Sequence, residues 1–335
     1  MPLSSPESTT QQMCQELAGI VVCPRDKQAL RLENGKLRCD QGHWYSIVEN
    51  IPILLVGEAE QTHIEGTRSL QVAESGDTTQ LRKVSLGPDD IDPFVQDSIA
   101  ATNGAMYREL VGKLKEYPIP RLRLPPGRGA LFLEIGCNWG RWCIAAARLG
   151  YRPVGIDPSL KSIRAASRVC RQLGVSALFL VADGRYLPFR GESFDRAFSY
   201  SVLQHLSPRD VGSTLEEIRR VLRVGGSSTV QMPNAYGVRC LYHQMRRWFR
   251  EPRGFEVRYW TPRHLRTTFQ AAIGPSQVSV DGFFSLNAQI SDARYLPFRY
   301  RGVVYASETL RRLSTILRPA SYVADSLYID STRQR

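Results

Sequence analysis

Between residues 131 and 232, apolar runs of four to six residues alternate with stretches of helical periodicity. The runs occupy 131–135, 153–156, 177–182, 196–200 and 229–232. Runs of this length between turn residues predict buried strands, and their alternation with helices predicts a parallel α/β sheet. A helix opens at Arg141 directly after the first run. Another carries Leu215, Ile218, Val221 and Leu222, and Gly225-Gly226 is expected to stop it before the fifth strand.

The flanks follow other patterns. Polarity alternates in Leu30-Arg31-Leu32 and Lys36-Leu37-Arg38 about Glu33-Asn34-Gly35, which predicts a hairpin inside a small β-rich unit at 20–57. Residues 1–19 are expected to be a disordered tail. Residues 58–92, rich in Glu, Thr, Gly and Ser, are expected to be a partly disordered linker. In the segment 93–127, Phe94, Ile99, Met106, Leu110, Val111 and Leu114 recur at helical spacing until Pro118-Ile119-Pro120. Val278-Ser279-Val280 and Phe283-Phe284 predict a strand pair closing a core of 128–284. Residues 285–335 are expected to pack on the sheet edge as an extension, with Leu310, Leu313, Ile316 and Leu317 as its helical stripe.

The first strand ends in Glu134-Ile135-Gly136-Cys137-Asn138-Trp139-Gly140 and runs straight into a helix. Such a strand–turn–helix presents backbone amides to a nucleotide-like ligand, and Gly136 and Gly140 let the main chain turn sharply. Asp157 ends the second strand, where a carboxylate accepts both hydroxyls of a ribose. Ala182-Asp183-Gly184 ends the third, where an adenine amino group can be read, and Tyr200 ends the fourth.

Taken in this order, the motifs resemble those of the class I S-adenosylmethionine (SAM)-dependent methyltransferases over 128–284. The resemblance implies a doubly wound, seven-stranded, mostly parallel sheet. It also implies SAM held by Glu134, Gly136, Cys137, Asn138, Gly140, Asp157, Ala182, Asp183, Gly184 and Tyr200. Asn138 stands where the family has its middle glycine, and Asn tolerates the left-handed backbone that such a turn needs. In that family the helix before the first strand commonly lies over the cofactor, so Asn103 and Tyr107 are candidate contacts to cofactor or acceptor, with packing as the alternative role of both.

The N-terminal unit resembles the zinc ribbons of the activator subunit of tRNA methyltransferases and of some rRNA guanine methyltransferases. The second cysteine of the first pair is Asp26 here, leaving Cys23, Asp26, Cys39 and His43 as the ligand set. A carboxylate can complete a tetrahedral zinc site. The alternative is a degenerate ribbon that kept its hairpin and lost the metal.

Composition adds constraints. The 335 residues are 42% hydrophobic, enough for a core of about one large domain, and no apolar run is long enough to span a membrane. The seven cysteines include no Cys-x-x-Cys pair and the N-terminus lacks signal-peptide blocks, which points to the cytoplasm. The net charge is +12, yet only six of 44 basic residues are lysine, so arginine bias accounts for part of it. The densest cluster, Arg246-Arg247-Trp248-Phe249-Arg250, fits three surfaces: RNA, an anionic substrate or membrane, or a solvated helix face with an apolar underside.

Methyl transfer needs a base only where the acceptor must lose a proton. His205, just past the fourth strand, is the candidate, with packing of the next helix as its alternative role. Asn234 and Tyr236, past the fifth strand, are weaker acceptor candidates. The fourth strand end, Ser199-Tyr200-Ser201-Val202, lacks the Pro-Pro-aromatic turn of base-amino methyltransferases, and the chain has no Pro-Cys nucleophile. The expected function is therefore methyl transfer to O, N or C of a small or lipid-like molecule. An RNA methyltransferase acting on ring nitrogen or ribose, and a SAM-binding partner without activity, are the alternatives. The sequence leaves the oligomeric state open.

Overall fold

The structure is a computed structural model that describes residues 19–79, 81, 83–284, 287, 289–316 and 322–335. The tail at 1–18 and Leu317 lie outside the described residues.

The first apolar run forms the central strand β5 (Leu131–Ile135), flanked by β6 (Arg152–Asp157) and β8 (Phe194–Tyr200). β7 (Leu178–Ala182) pairs with β6, and β9 (Leu222–Pro233) with β8, all parallel. The chain therefore winds outward from β5 on one side and returns to the other, which puts a switch point at the carboxyl ends of β5 and β8. Helices α3 (Arg141–Arg148), α4 (Leu160–Gln172) and α5 (Pro208–Val221) cross between these strands. Their starts follow from sequence: Ser159 accepts the Ser162 N–H at 3.2 Å, and Ser207 accepts that of Asp210 at 3.1 Å ahead of Pro208.

The sheet is mixed and has, among the described residues, 11 strands rather than seven. On one side, β1 (Arg31–Glu33), β2 (Lys36–Arg38), β3 (Trp44–Val48) and β4 (Ile51–Leu54) extend it, because β4 runs parallel to β7. The hairpin turns at Asn34 (φ 50°) and Gly35 (φ 75°), as their residue types predict. This unit also binds α5, through Lys27 to Glu217 at 2.8 Å. On the other side, β11 (Ser326–Thr332) inserts antiparallel between β9 and β10 (Ser276–Gly282). β10 thus pairs with the C-terminal strand and not with Phe283-Phe284, and 285–335 supplies an interior strand.

Four further expectations are corrected. Residues 64–75 are not a linker but a helix, α1 (Ile64–Ser75), capped by His63 and closed by Gly76 at φ 66°. It escapes periodicity because its buried positions are Gly66 and Ser69, and Ser69 Oγ bridges the Pro158 carbonyl (2.7 Å) and the Leu160 N–H (2.9 Å). α2 (Pro93–Asn103) ends at Gly104, φ 98°, so Met106 and Leu110 sit in a 3-10 turn. Gly225-Gly226 does not stop α5. It lies within β9, where the register against β8 shifts between Phe194 and Arg196 to absorb the extra residues. The remaining helices among the described residues are α6 (Val238–Arg246), α7 (Pro262–Ala272) and α8 (Phe298–Ser314). On α8 the buried face is Val304, Ser307 and Ser314, whereas Leu313 and, just past the helix, Ile316 are exposed.

Candidate active site

The carboxyl ends of β5, β6, β7 and β8 open into one cavity of about 530 Å³, a size suited to a cofactor. Residues 134–139 line it from β5, 156–159 from β6, 182–184 from β7, and Tyr200, Ser201 and Val202 from β8. The opposite wall comes from outside the sheet: Thr62, His63 and Glu65 at the start of α1, Phe94, Ser98, Ala101 and Thr102 on α2, and Phe255.

The turn after β5 works differently from expectation. Its amides are already used: Gly136 and Cys137 donate to the Ile156 carbonyl (2.8 and 2.9 Å), and Gly140 donates to that of Cys137 (2.8 Å). Asn138 N–H donates to Asp157 Oδ2 (3.0 Å), and Trp139 N–H to Asn138 Oδ1 (2.8 Å). The turn therefore offers close approach of the backbone rather than a cradle of free N–H groups. Asn138 adopts φ 47°, as its residue type allows. Gly136 is required twice: φ is +76°, and a Cβ would lie 2.3 Å from Val202 Cγ2. Gly140 does not line the cavity; it packs against Phe179 and Ala166 beneath the turn.

Charge in the cavity is uneven. Glu134 is buried, burial lifts its carboxyl to about 8, and its Oε2 has no hydrogen-bond partner. Arg141, also buried, has both terminal nitrogens unpartnered. Burial raises Asp157 to about 6 against the opposing hydrogen bonds from Ser159 and Asn138. Each of its oxygens accepts one backbone N–H, Ser159 to Oδ1 at 2.9 Å and Asn138 to Oδ2, so lone pairs remain on both. Asp183 is clamped by Arg185, with Nη2 at 2.7 Å from Oδ2. Tyr200 lines the cavity, and its hydroxyl donates to Asp281 Oδ2 at 2.7 Å.

His205 lines the cavity and stacks on Phe255, with ring centroids 4.0 Å apart and an interplanar angle of 4°. Its Nδ1 lies 2.7 Å from the Phe255 carbonyl, which can only accept, so Nδ1 carries the proton. Nε2 is then an acceptor, 3.2 Å from the Gln204 amide. Burial lowers the imidazole below its ordinary value.

Four other candidates are elsewhere. Asn103, at the end of α2, and Tyr107, in the 3-10 turn past Gly104, are fully buried and do not line the cavity; Ser98 and Thr102 on α2 line it instead. Asn234 is also fully buried, donating to the Tyr322 and Ala324 carbonyls at 2.8 Å each, and Tyr236 is exposed. Neither lines the cavity. The sequence reading missed Arg141, although its place one residue after Gly140 was the available signal. It also missed the α1 start and Phe255, for which no local signal exists.

The N-terminal unit brings its four candidate ligands together. One ligand atom from each of Cys23, Asp26, Cys39 and His43 lies within 4.8 Å of all the others. His43 Nδ1 is 2.9 Å from Asp26 Oδ2, 3.3 Å from Cys39 Sγ and 3.5 Å from Cys23 Sγ. The tetrahedral edge of a zinc site, about 3.5 Å, follows from zinc–ligand bonds near 2.0–2.3 Å, so the donor set fits zinc.

A carboxylate-ended parallel sheet with its cavity at the switch point is thus in place, and part of it is similar to known proteins. Residues 132–226 match the family model of a methyltransferase domain. The matched stretch runs from β5 into β9 and includes Glu134, Gly136, Asp157, Asp183 and His205. The ubiquinone biosynthesis O-methyltransferase of Agrobacterium fabrum is 36% identical over 101 residues, 30% of this chain and 40% of that protein. The protein of the same name from Brucella ovis is 31% identical over 154 residues, 44% of this chain and 60% of that protein. The chain thus covers less than two thirds of these curated relatives. Among solved structures, Haemonchus contortus phosphoethanolamine N-methyltransferase 2 in complex with S-adenosyl-L-methionine is similar at 15% identity and TM-score 0.42, over 63% of this chain and 50% of that one. A SAM-dependent methyltransferase from Thermotoga maritima, a possible histamine N-methyltransferase, is similar at 18% identity and TM-score 0.41, over 63% and 84%.

Proposed function

We propose that the cavity binds SAM and that the protein transfers its methyl group to O, N or C of a small or lipid-like molecule. The observation that carries this reading is a pair of buried side chains of opposite type with unpartnered atoms, Glu134 at Oε2 and Arg141 at both terminal nitrogens, in one cavity with Asp157. Their chemistry suits the amino and carboxylate ends of SAM's methionine part, and Asp157 suits its ribose hydroxyls. Ala182, Asp183 and Gly184 meet the adenine, Cys137 and Asn138 lie along the ribose, and the Tyr200 ring lies near the methionine part. When bound, the cofactor supplies a methyl carbon made electrophilic by its sulfonium. The protein's own contribution is to hold an acceptor in line with that carbon, which is worth roughly 7–11 kcal/mol. His205, with Nδ1 fixed on the Phe255 carbonyl, accepts the acceptor's proton at Nε2 once Gln204 yields its hydrogen bond. The names of the ubiquinone biosynthesis relatives favour oxygen of a lipid-like acceptor.

Incubation of the protein with methyl-labelled SAM and separated RNA, lipid and metabolite fractions of a cell extract tests this. Label is expected in the lipid or metabolite fraction. Label in RNA alone would replace the acceptor class, and labelling of no fraction by a SAM-binding protein would favour a non-catalytic partner.

The ribbon is read as a zinc site of Cys23, Asp26, Cys39 and His43, supported by the convergence of their ligand atoms. Zinc would tie the strands of 20–57 to each other. Protein purified without chelators should carry about one zinc per chain, and Cys39→Ser should release it. Elemental analysis finding none in the wild type would leave a degenerate ribbon. A cytoplasmic location is favoured by six cysteines, all free among the described residues. No helix among the described residues is long and apolar enough to cross a membrane.

A further inference from the structure

The expected apolar underside of the basic cluster faces outward. On α6, Val238, Leu241, Tyr242 and Met245 recur at i, i+3, i+4 and i+7, and each is between 41% and 56% exposed. The other side of the helix is fixed to the protein: Cys240 is fully buried, and the Arg239 and Cys240 N–H groups donate to Asp325 Oδ1 at 2.7 and 3.1 Å. The stripe therefore lies half exposed along an anchored helix.

The turn after α6 extends it. Trp248 is 90% and Phe249 63% exposed, and both adopt left-handed backbone, φ 54° and 53°. Bulky residues adopt this conformation only where surrounding bonds enforce it. Here the Trp248 and Phe249 N–H groups donate to the Met245 and Gln244 carbonyls at 2.9 Å each, and Arg247 reaches the Val257 carbonyl at 2.9 Å. Two large rings are held outward by a built turn.

Charge selects what meets this surface. Residues 238–263 carry seven arginines against Glu251 and Glu256, and Glu256 is taken up by Arg250. A second copy would oppose this face with the same arginines, on a chain of net charge +12. Aliphatic Val238, Leu241 and Met245 give nucleic-acid bases nothing to stack on, whereas they suit acyl chains. Trp, Tyr and Arg with an apolar stripe are the composition of a helix lying in a headgroup layer. Phe255, stacked on His205, carries the same segment to the edge of the cavity.

We propose that α6 and the turn at Trp248-Phe249 dock the protein on an anionic lipid bilayer, with the cavity mouth beside the membrane surface. The rings and aliphatic stripe enter the boundary between headgroups and acyl chains, and the arginines face lipid phosphates.

Co-sedimentation of the full-length protein with vesicles of phosphatidylcholine, with and without phosphatidylglycerol, tests this. No cofactor or acceptor is needed, so the outcome is separate from that of the transfer assay. Binding is expected to the phosphatidylglycerol vesicles and to weaken with salt. The double variant Trp248→Ser/Phe249→Ser should lower the partition coefficient about tenfold or more, and Arg246→Glu should lower it by about fivefold. Both should keep the wild-type melting temperature, since these side chains are exposed. Undiminished binding by the folded double variant would overturn the proposal. So would a wild type that ignores vesicles but self-associates through this face, read by light scattering as a dimer that the double variant loses.

Discussion

His205→Ala is expected to lower turnover by about 10²–10⁴-fold while leaving SAM affinity nearly unchanged. The imidazole is held from two sides, by the Phe255 ring at 4.0 Å and by the Phe255 carbonyl on Nδ1. Removing it takes away a proton acceptor aimed at the cavity and leaves Glu134, Asp157 and the turn at Gly136 in place. Its pH behaviour has a definite sign. Burial depresses the imidazole, so it is neutral above its own value and loses activity only as pH falls through a point below the ordinary histidine value of about 6.5. Steady-state kinetics across pH, together with SAM binding to the variant, check both halves. A folded variant with full activity would mean the acceptor needs no base here. Loss of SAM affinity in proportion to turnover would return His205 to packing.

Much of the parallel core was legible because its signals are local. β5, β6, β7 and β8 are short apolar runs, and a strand's carboxyl end faces the cavity by topology, so Glu134, Asp157 and Asp183 could be placed from order alone. The left-handed turn at Asn138 followed from residue type. What the turn offers a ligand did not, because whether an amide is free depends on Ile156 and Asp157, which arrive from another strand.

The remainder was hidden by non-local packing. α1 buries glycine and serine and gains its place through hydrogen bonds to the loop after β6, so its sequence carries no apolar period. β11 pairs with β9 and β10 across about a hundred and about fifty residues of chain, a partnership no local pattern encodes. β4 joined β7 for the same reason, turning an expected separate ribbon into four more strands of one sheet. At α6 one of the three readings of the basic cluster included an apolar underside, and that stripe of Val238, Leu241, Tyr242 and Met245 is about half exposed.

Asp157 carries the central claim, that this cavity is a SAM site. Its two oxygens each hold one backbone N–H and keep lone pairs for a ribose, in a buried setting where a charge-assisted hydrogen bond is strong. Asp157→Ala should weaken SAM by about 1.5–3 kcal/mol, or roughly 10–150-fold. The two backbone donors left behind can be met by water in the opened space, so the variant is expected to fold. Because the carboxyl sits at about 6, wild-type affinity should hold above that pH and fall below it as the acceptor is protonated. Calorimetric titration of SAM into the wild type and Asp157→Ala is the direct measurement. The expected result is low-micromolar or tighter binding to the wild type and the stated loss in a folded variant; equal affinity in the two, or no binding to the wild type, would contradict it.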